Sequence, residues 1–449
     1  MKKNYTKFSQ SIKILIASLL LLSWQGILNT GLVMAQGTTT HSWVEKTTGA
    51  PPQVRTLYAV NENVVWGLTN GVSGFVKTTD GGETWETGQI DGLSNSGTGN
   101  ISAVSATEAF AAVYPNGAGA TSGIYHTTDG GQTWSKQPTA SYSDPASFPN
   151  FVTFFDGTNG VAGGDALNGY FEIYTTSNLG QTWTRVPNAN MPAALAGEWG
   201  FINSFIDNGN SVWFGTNKGR IFRSTDKGLN WTVSTLLPNN STVSAMAFSD
   251  NGTGFAVGVE DGSGRMFSAR TSDGGENWSA FVAEEPAGLY VNSIAYVPGT
   301  ASTFVITGAA AGKNGSAVST DGGANWTMID QGVAHSEVVF VNPTTGWTGG
   351  PGVMYKFSGA FASVTGIEDE LDGRLSVYPN PSTTEFTVEL STSAKSARVV
   401  LYNMNGQPVL NQVLQGPSQT LSVGHLPKGV YVLNLVENQT VIKRKVVVQ

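Results

Sequence analysis

An eight-residue pattern, Ser/Thr-x-Asp-x-Gly-x-x-Trp, recurs six times along this chain, as Thr78–Trp85, Thr127–Trp134, Thr176–Trp183, Ser224–Trp231, Thr271–Trp278 and Ser319–Trp326. Its third positions, Asp80, Asp129, Asn178, Asp226, Asp273 and Asp321, are separated by steps of 49, 49, 48, 47 and 48 residues. That period is the length of a four-stranded blade, so the repeat by itself argues for a β-propeller. Each copy carries turn chemistry. Asp or Asn can accept hydrogen bonds from backbone amides two residues on, and Gly supplies positive φ, so a hairpin is expected. Trp85, Trp134, Trp183, Trp231, Trp278 and Trp326 then open the next strand and pack beneath the turn. These positions read as structural, because an Asp whose oxygens are taken up by its own turn is poorly placed for proton transfer.

A second signal gives the number of units. An apolar strand ending in a polar turn and followed by a strand ending in Gly precedes each box, as in Phe154-Phe155-Asp156 to Gly163-Gly164, and Phe248-Ser249-Asp250 to Gly258. Phe340-Val341-Asn342 to Gly349 is a further copy, and less regular ones start at Tyr58, Val104, Phe205 and Tyr296, which makes seven units. The seventh has no box and no following Trp strand. Ser42-Trp43-Val44-Glu45-Lys46 resembles the post-box strands, so the expectation is that the N-terminal strand completes the last blade and leaves no edge unpaired. Six blades plus an irregular plug would leave Trp43 and Trp347 without symmetric places.

The boxes resemble those of the Asp-box repeat families: bacterial sialidases (BNR repeats), sortilin-like receptors, xyloglucanases and the photosystem II assembly factor with its bacterial relatives. The resemblance covers roughly residues 40–360 and implies a fold more strongly than a function.

The composition agrees with many short strands joined by tight turns: 56 of 449 residues are Gly and only 12% are charged. The net charge of −8, with no basic run beyond Lys443-Arg444-Lys445, excludes a phosphate-binding footprint for nucleic acid. The basic start, the apolar run Ile14–Leu22 and the small-residue site Val33-Met34-Ala35 read as a signal peptide over residues 1–35. No transmembrane segment is expected in the mature chain. Secretion permits disulfides, yet the chain has no cysteine, which also excludes thiolate metal sites and cysteine nucleophiles. Four histidines show no metal spacing, and no cofactor is expected.

After a propeller over residues 36–362 and an acidic linker over 363–374, a second domain is expected over 375–449. It has alternating segments around Asn405-Gly406, a hairpin signal, and reads as a small Ig-like antiparallel sandwich. Tyr378-Pro379-Asn380-Pro381, the Asn405-Gly406 turn, Leu426–Tyr431 and the terminal Lys445–Gln449 resemble, in order, the type A sorting domain of the type IX secretion system of Bacteroidetes. The resemblance implies passage through the periplasm and export across the outer membrane, with type IX machinery as partner and a secreted or cell-surface location. The expected fold is therefore all-β, a seven-bladed propeller followed by the sandwich.

A propeller gathers loops from all its blades around one axis, which favours binding a glycan or protein there. Aligning the units places Arg55 and Glu337 as neighbours at the ring closure, either as a structural salt bridge or as a polar ligand site. Glu198 and Trp199, after the long Pro187–Gly197 connection, are a second candidate for a ligand face. A sialidase is disfavoured, because the Arg-Ile-Pro motif is absent and Arg55 is followed by Thr56. A xyloglucanase-like acid pair remains an alternative, since Asp144, Asp165, Glu198, Asp207, Glu260 and Asp261 all fall in expected inter-strand segments. The reading is a secreted or surface-displayed binding protein, with glycoside hydrolase as the alternative.

Overall fold

The structure is a computed structural model that describes residues 41–46, 53–69, 74–238, 240–362, 375–390, 397–402, 408–414, 416–437 and 440–449. The expected signal peptide, the linker and the Asn405-Gly406 turn lie outside the described residues. Strands dominate, and the helical residues among those described are two three-residue 3-10 turns, Asn188–Asn190 and Pro286–Gly288.

Seven antiparallel sheets follow one another between Ser42 and Ser358. Their first strands are Val54–Ala59, Ser96–Ala103, Pro149–Phe154, Gly200–Asn208, Ser241–Phe248, Val291–Tyr296 and Val338–Asn342. Each first strand lies beside the next, and Val338–Asn342 lies beside Val54–Ala59, so the neighbours form a cycle. Six sheets have four strands. The seventh takes its fourth from the N-terminal end: Ser42–Glu45 pairs with Val353–Ser358, with Trp43 opposite Phe357. The fifth sheet departs from the repeat, having three strands and only an isolated bridge, Ser268 to Val282, where the post-box strand would lie. Its post-box segment Ser279-Ala280-Phe281 is short of β-branched residues and carries no alternating apolar pattern.

The repeated turn differs from the sequence expectation in its span. Asp80 Oδ1 accepts from the Thr84 amide, four residues on, at 2.9 Å, and Oδ2 accepts from Thr84 Oγ1 at 2.5 Å. The hydroxyl at the first position is the hub. Thr78 Oγ1 donates to Asp80 Oδ1 at 2.8 Å and accepts the buried Gly82 amide at 2.9 Å. The hydroxyl hub and the Oδ1 bond recur at Thr127/Asp129, Ser224/Asp226, Thr271/Asp273 and Ser319/Asp321, and with amide chemistry at Thr176/Asn178, while Oδ2 accepts from Thr133 at Asp129 and from the Asn230, Asn277 and Asn325 side-chain amides at the other three Asp. These bonds hold the carboxyls of Asp80, Asp129, Asp273 and Asp321 down to about 2. In five of the six boxes the Trp stands just before the next strand rather than in it, as Trp85 precedes Glu86–Gln89, while no strand follows Trp278 directly.

The turns also join neighbouring sheets. Gly131 has φ +89°, and a Cβ there would sit 2.3 Å from Phe75 of the preceding sheet; at Gly323 the same holds for Phe255, at 2.5 Å. A cation from the preceding sheet grips the turn from outside: Lys77 Nζ donates to Gly130 O at 3.0 Å, Arg270 Nη1 to Gly323 O at 2.8 Å, and Lys356 Nζ of the seventh sheet to Gly81 O of the first at 2.8 Å. Apolar clusters fill every interface between successive sheets, including one that joins seventh to first through Trp347, Met354, Val54 and Trp85.

The C-terminal region forms two antiparallel sheets, of three and four strands, around one core that includes Phe386, Val388, Val399, Leu401, Leu433 and Val446. Asn380 ties the Tyr378–Pro381 motif to the last strand: its Nδ2 donates to Lys445 O at 2.6 Å and its Oδ1 accepts from the Val447 amide at 2.8 Å. No helix among the described residues is long and apolar enough to cross a membrane.

Candidate functional site

The seven first strands all line one cavity of about 410 Å³. Their polar side chains bond sideways from one sheet to the next. Arg55 Nη1 donates to Thr98 O at 3.3 Å, Asn100 makes a two-way bond with the Val152 backbone at 2.8 and 2.9 Å, and Thr153 Oγ1 donates to Asp207 Oδ1 at 2.7 Å. Further round, Asn208 Nδ2 donates to Phe248 O at 3.3 Å, and Ser293 Oγ accepts the Val338 amide at 3.3 Å. Glu337 Oε2 accepts the Leu57 amide at 2.8 Å and so crosses from the seventh sheet to the first. First strands of a propeller pair with no neighbouring sheet, so their outward-facing backbone groups need side-chain partners. Arg55, Asn100, Asn208, Ser293 and Glu337 supply them, while Thr153 and Asp207 join two sheets side chain to side chain.

Arg55 and Glu337 therefore do not form the expected salt bridge: among the described residues no ion pair joins them. Arg55 turns instead to Tyr114, whose hydroxyl lies 3.0 Å from Nη1. Glu337 stands one residue before its strand, and burial pushes its carboxyl up to about 8 in spite of the Leu57 amide and the Arg55 charge. Both residues line a polar cavity of about 220 Å³ with Asn203 and Ser336.

Glu198 and Trp199 divide in environment. The Glu198 side chain is fully buried and paired with Arg220, whose Nε and Nη2 both reach its carboxylate. It also accepts from Thr216 Oγ1 at 2.7 Å and from the Leu195 amide at 2.8 Å. Burial opposes its charge, but Arg220 and these donors outweigh it and hold the carboxyl below its usual range. Trp199, the next residue, is 50% exposed and Phe201 44%. Asn217 clamps Trp199 from both sides of its peptide, with Oδ1 accepting the Trp199 amide at 2.9 Å and its own amide donating to Trp199 O at 3.2 Å.

Trp199 and Phe201 line a third cavity, of about 350 Å³, with Arg55, Asn150 and Asp165. Arg55 and Asn203 belong to both this cavity and the polar one, so Arg55, Glu337 and Trp199 lie along one connected surface, while Glu198 stands behind it. Asp165 Oδ1 accepts from Asn150 Nδ2 at 2.7 Å and the Gly200 amide at 3.0 Å, and burial pushes this carboxyl up to about 6.

The acids expected in inter-strand segments are placed differently in three cases: Asp165, Asp207 and Glu260 lie within strands. Asp207 is raised by burial and bound by Thr153, and Glu260 accepts from Ser263 at 2.7 Å. No group of three or more His, Asp or Glu suited to a metal ion occurs among the described residues. Sequence reasoning missed Asn100, Asn150, Asn203 and Phe201. Asn100 carries no clear sequence signal, because its strand Ser96–Ala103 also holds Ser96, Thr98 and Ser102.

Residues 376–449 match the family model of the secretion system C-terminal sorting domain, and residues 27–219 match that of the DUF6242 beta propeller domain. No curated protein matches the chain. Among solved structures, YCF48 bound to D1 peptide is similar at TM-score 0.51 and 18% identity over 71% of this chain and 97% of that one. YCF48 from Cyanidioschyzon merolae is similar at TM-score 0.50 and 17% identity, over 71% and 98% of the two chains. At these identities the likeness carries the fold alone: the chain has a β-propeller domain and a C-terminal sorting domain. The latter directs export by the type IX system to the cell surface or the extracellular space.

Proposed function

We propose that the exported protein is a binding protein, and that its ligand meets the surface where Arg55, Glu337 and Trp199 line adjoining cavities. In this reading the seven sheets are the blades of one ring, the six repeated turns are Asp boxes of the BNR and sortilin-like kind, and the tail is an Ig-like sandwich that engages the export machinery. A signal peptide over residues 1–35 starts the route through the periplasm.

The observation that carries the reading is Trp199. A large aromatic side chain half open to solvent stands on a backbone that Asn217 bonds at both N–H and C=O, next to the buried Glu198–Arg220 pair and at the edge of a cavity with polar walls. Two neighbouring exposed aromatic side chains at a cavity rim, Trp199 and Phe201, offer a ligand stacking area.

A glycoside hydrolase is the second reading, favoured by Asp165, whose carboxyl stays protonated up to about 6 and could serve as an acid. It needs a second acid facing the same ligand. Glu198, the nearest in sequence to the exposed Trp, is neutralised by Arg220.

The test is a screen of the purified full chain against glycan, polysaccharide and peptide arrays, with released sugar assayed alongside, and repeated with Arg55→Ala and Trp199→Ala. Binding that both variants weaken supports the reading. Binding that neither touches removes it, and released sugar turns it into the hydrolase.

A further inference from the structure

We propose that the cavity walled by Trp199, Phe201, Asn150, Asp165 and Arg55 is a subsite for a neutral pyranose unit of a polysaccharide. This rests on the binding reading above and names its ligand class.

Trp199 and Phe201 are two residues apart at the start of an extended segment, which places both side chains on one face. Both are exposed, and together they offer an apolar platform at the cavity rim. The polar groups stand at its edge. Asp165 spends Oδ1 on Asn150 and Gly200, and its Oδ2 has no partner among the described residues. Asn150, itself only 3% exposed, lines the cavity with its Oδ1 unpartnered. Arg55 places a guanidinium on the same wall.

A pyranose matches this division. Its C–H face covers an aromatic ring, while the hydroxyls around its rim donate to Asp165 and Asn150 and accept from Arg55. A hydrocarbon ligand would leave these polar groups buried and unpaired, at a cost in affinity. One acid and one cation share the wall, so no net charge selects an anionic sugar. The cavity, at about 350 Å³, is within the size range of small-ligand pockets.

The buried ion pair behind the platform acquires a purpose here. Glu198 and Arg220 are positioning residues: ionic pairs of this kind add little net stability and serve to fix one geometry. Fixing the backbone that carries Trp199 before the ligand arrives lowers the ordering cost of binding.

The experiment titrates the full chain with neutral oligosaccharides from glucan, mannan and xylan, read by calorimetry and by tryptophan fluorescence, with melting temperature recorded for every variant. At least one oligosaccharide is expected to bind. Trp199→Ala should weaken it more than tenfold with unchanged melting, Trp199→Phe should recover part of the loss, and Asp165→Asn should weaken it and flatten its dependence on pH around 6. Binding that Trp199→Ala leaves intact overturns the subsite. No binding by any neutral oligosaccharide, with a peptide or anionic ligand from the arrays sensitive to Trp199→Ala, overturns the sugar and leaves the binding surface standing. Array ligands indifferent to both Trp199→Ala and Arg55→Ala overturn the two together.

Discussion

The first hydroxyl of each repeated turn carries more than its Asp. Ser319 Oγ accepts the buried Gly323 amide at 2.8 Å and donates to Asp321 at 2.7 Å, and Ser319 itself is 1% exposed. Ser319→Ala leaves that amide unsatisfied without opening a large cavity, and a loss of about 1–3 kcal/mol is expected, read as a lower urea midpoint at unchanged slope. Glu337 gives a second prediction with a sign. Its folded carboxyl titrates at about 8 against an ordinary 4.5, so over that window the folded protein keeps a proton that the unfolded chain has released. Stability therefore falls as pH rises from about 4.5 to 8 and levels off above. Glu337→Gln, which keeps an acceptor for the Leu57 amide, should flatten this slope in melts taken between pH 5 and 8. The Asp turns work in the opposite sense. Held at about 2 against an ordinary 3.8, Asp80, Asp129, Asp273 and Asp321 contribute above pH 4 and lose that contribution as pH falls toward 2. At this scale the sequence shows which residues are polar at the axis but not whom they face. Arg55 and Glu337 look like a pair by alignment, yet each turns to the backbone of an adjacent strand, because unpaired backbone groups there need partners.

Strands and turns were more readable than contacts. The six boxes, the period and the N-terminal Trp43 strand all stand out in the sequence, because turn chemistry is local and needs particular residues at fixed offsets. The fifth sheet's missing fourth strand does not, since Asp273 and Trp278 repeat the box faithfully and pairing fails only beyond them. The packing of Gly131 on Phe75 was equally hidden: positive φ explains a glycine in a turn, but not why the neighbouring sheet lies so close. Gly131→Ala meets both penalties at once. A loss of about 2–4 kcal/mol is expected from the strained φ and the overpacking together, larger than for Gly92→Ala, where φ is +74° and nothing lies within 4 Å. Comparing the two melting curves separates packing from backbone strain. Removing Ser42–Glu45 exposes the edge of Val353–Ser358 and should give a lower melting temperature and concentration-dependent association in size-exclusion chromatography.

At the scale of the whole molecule, the fold comes from stacked repeats and the candidate site from their departures. The boxes repeat six times, whereas Trp199-Gly200-Phe201 occurs once in the chain, and for that reason a search for self-similarity passes over it. The closure of the last sheet has a further consequence. His41 Nε2 lies 3.1 Å from Ala360 O and Trp43 pairs with Phe357, so both ends of the repeat region stop side by side. The sheet at which the repeat region starts along the chain is then arbitrary, while the cyclic order of the seven is kept. A permuted chain that joins residue 362 to residue 41 and opens between any two sheets should reach the same native state, with only the folding rate changed.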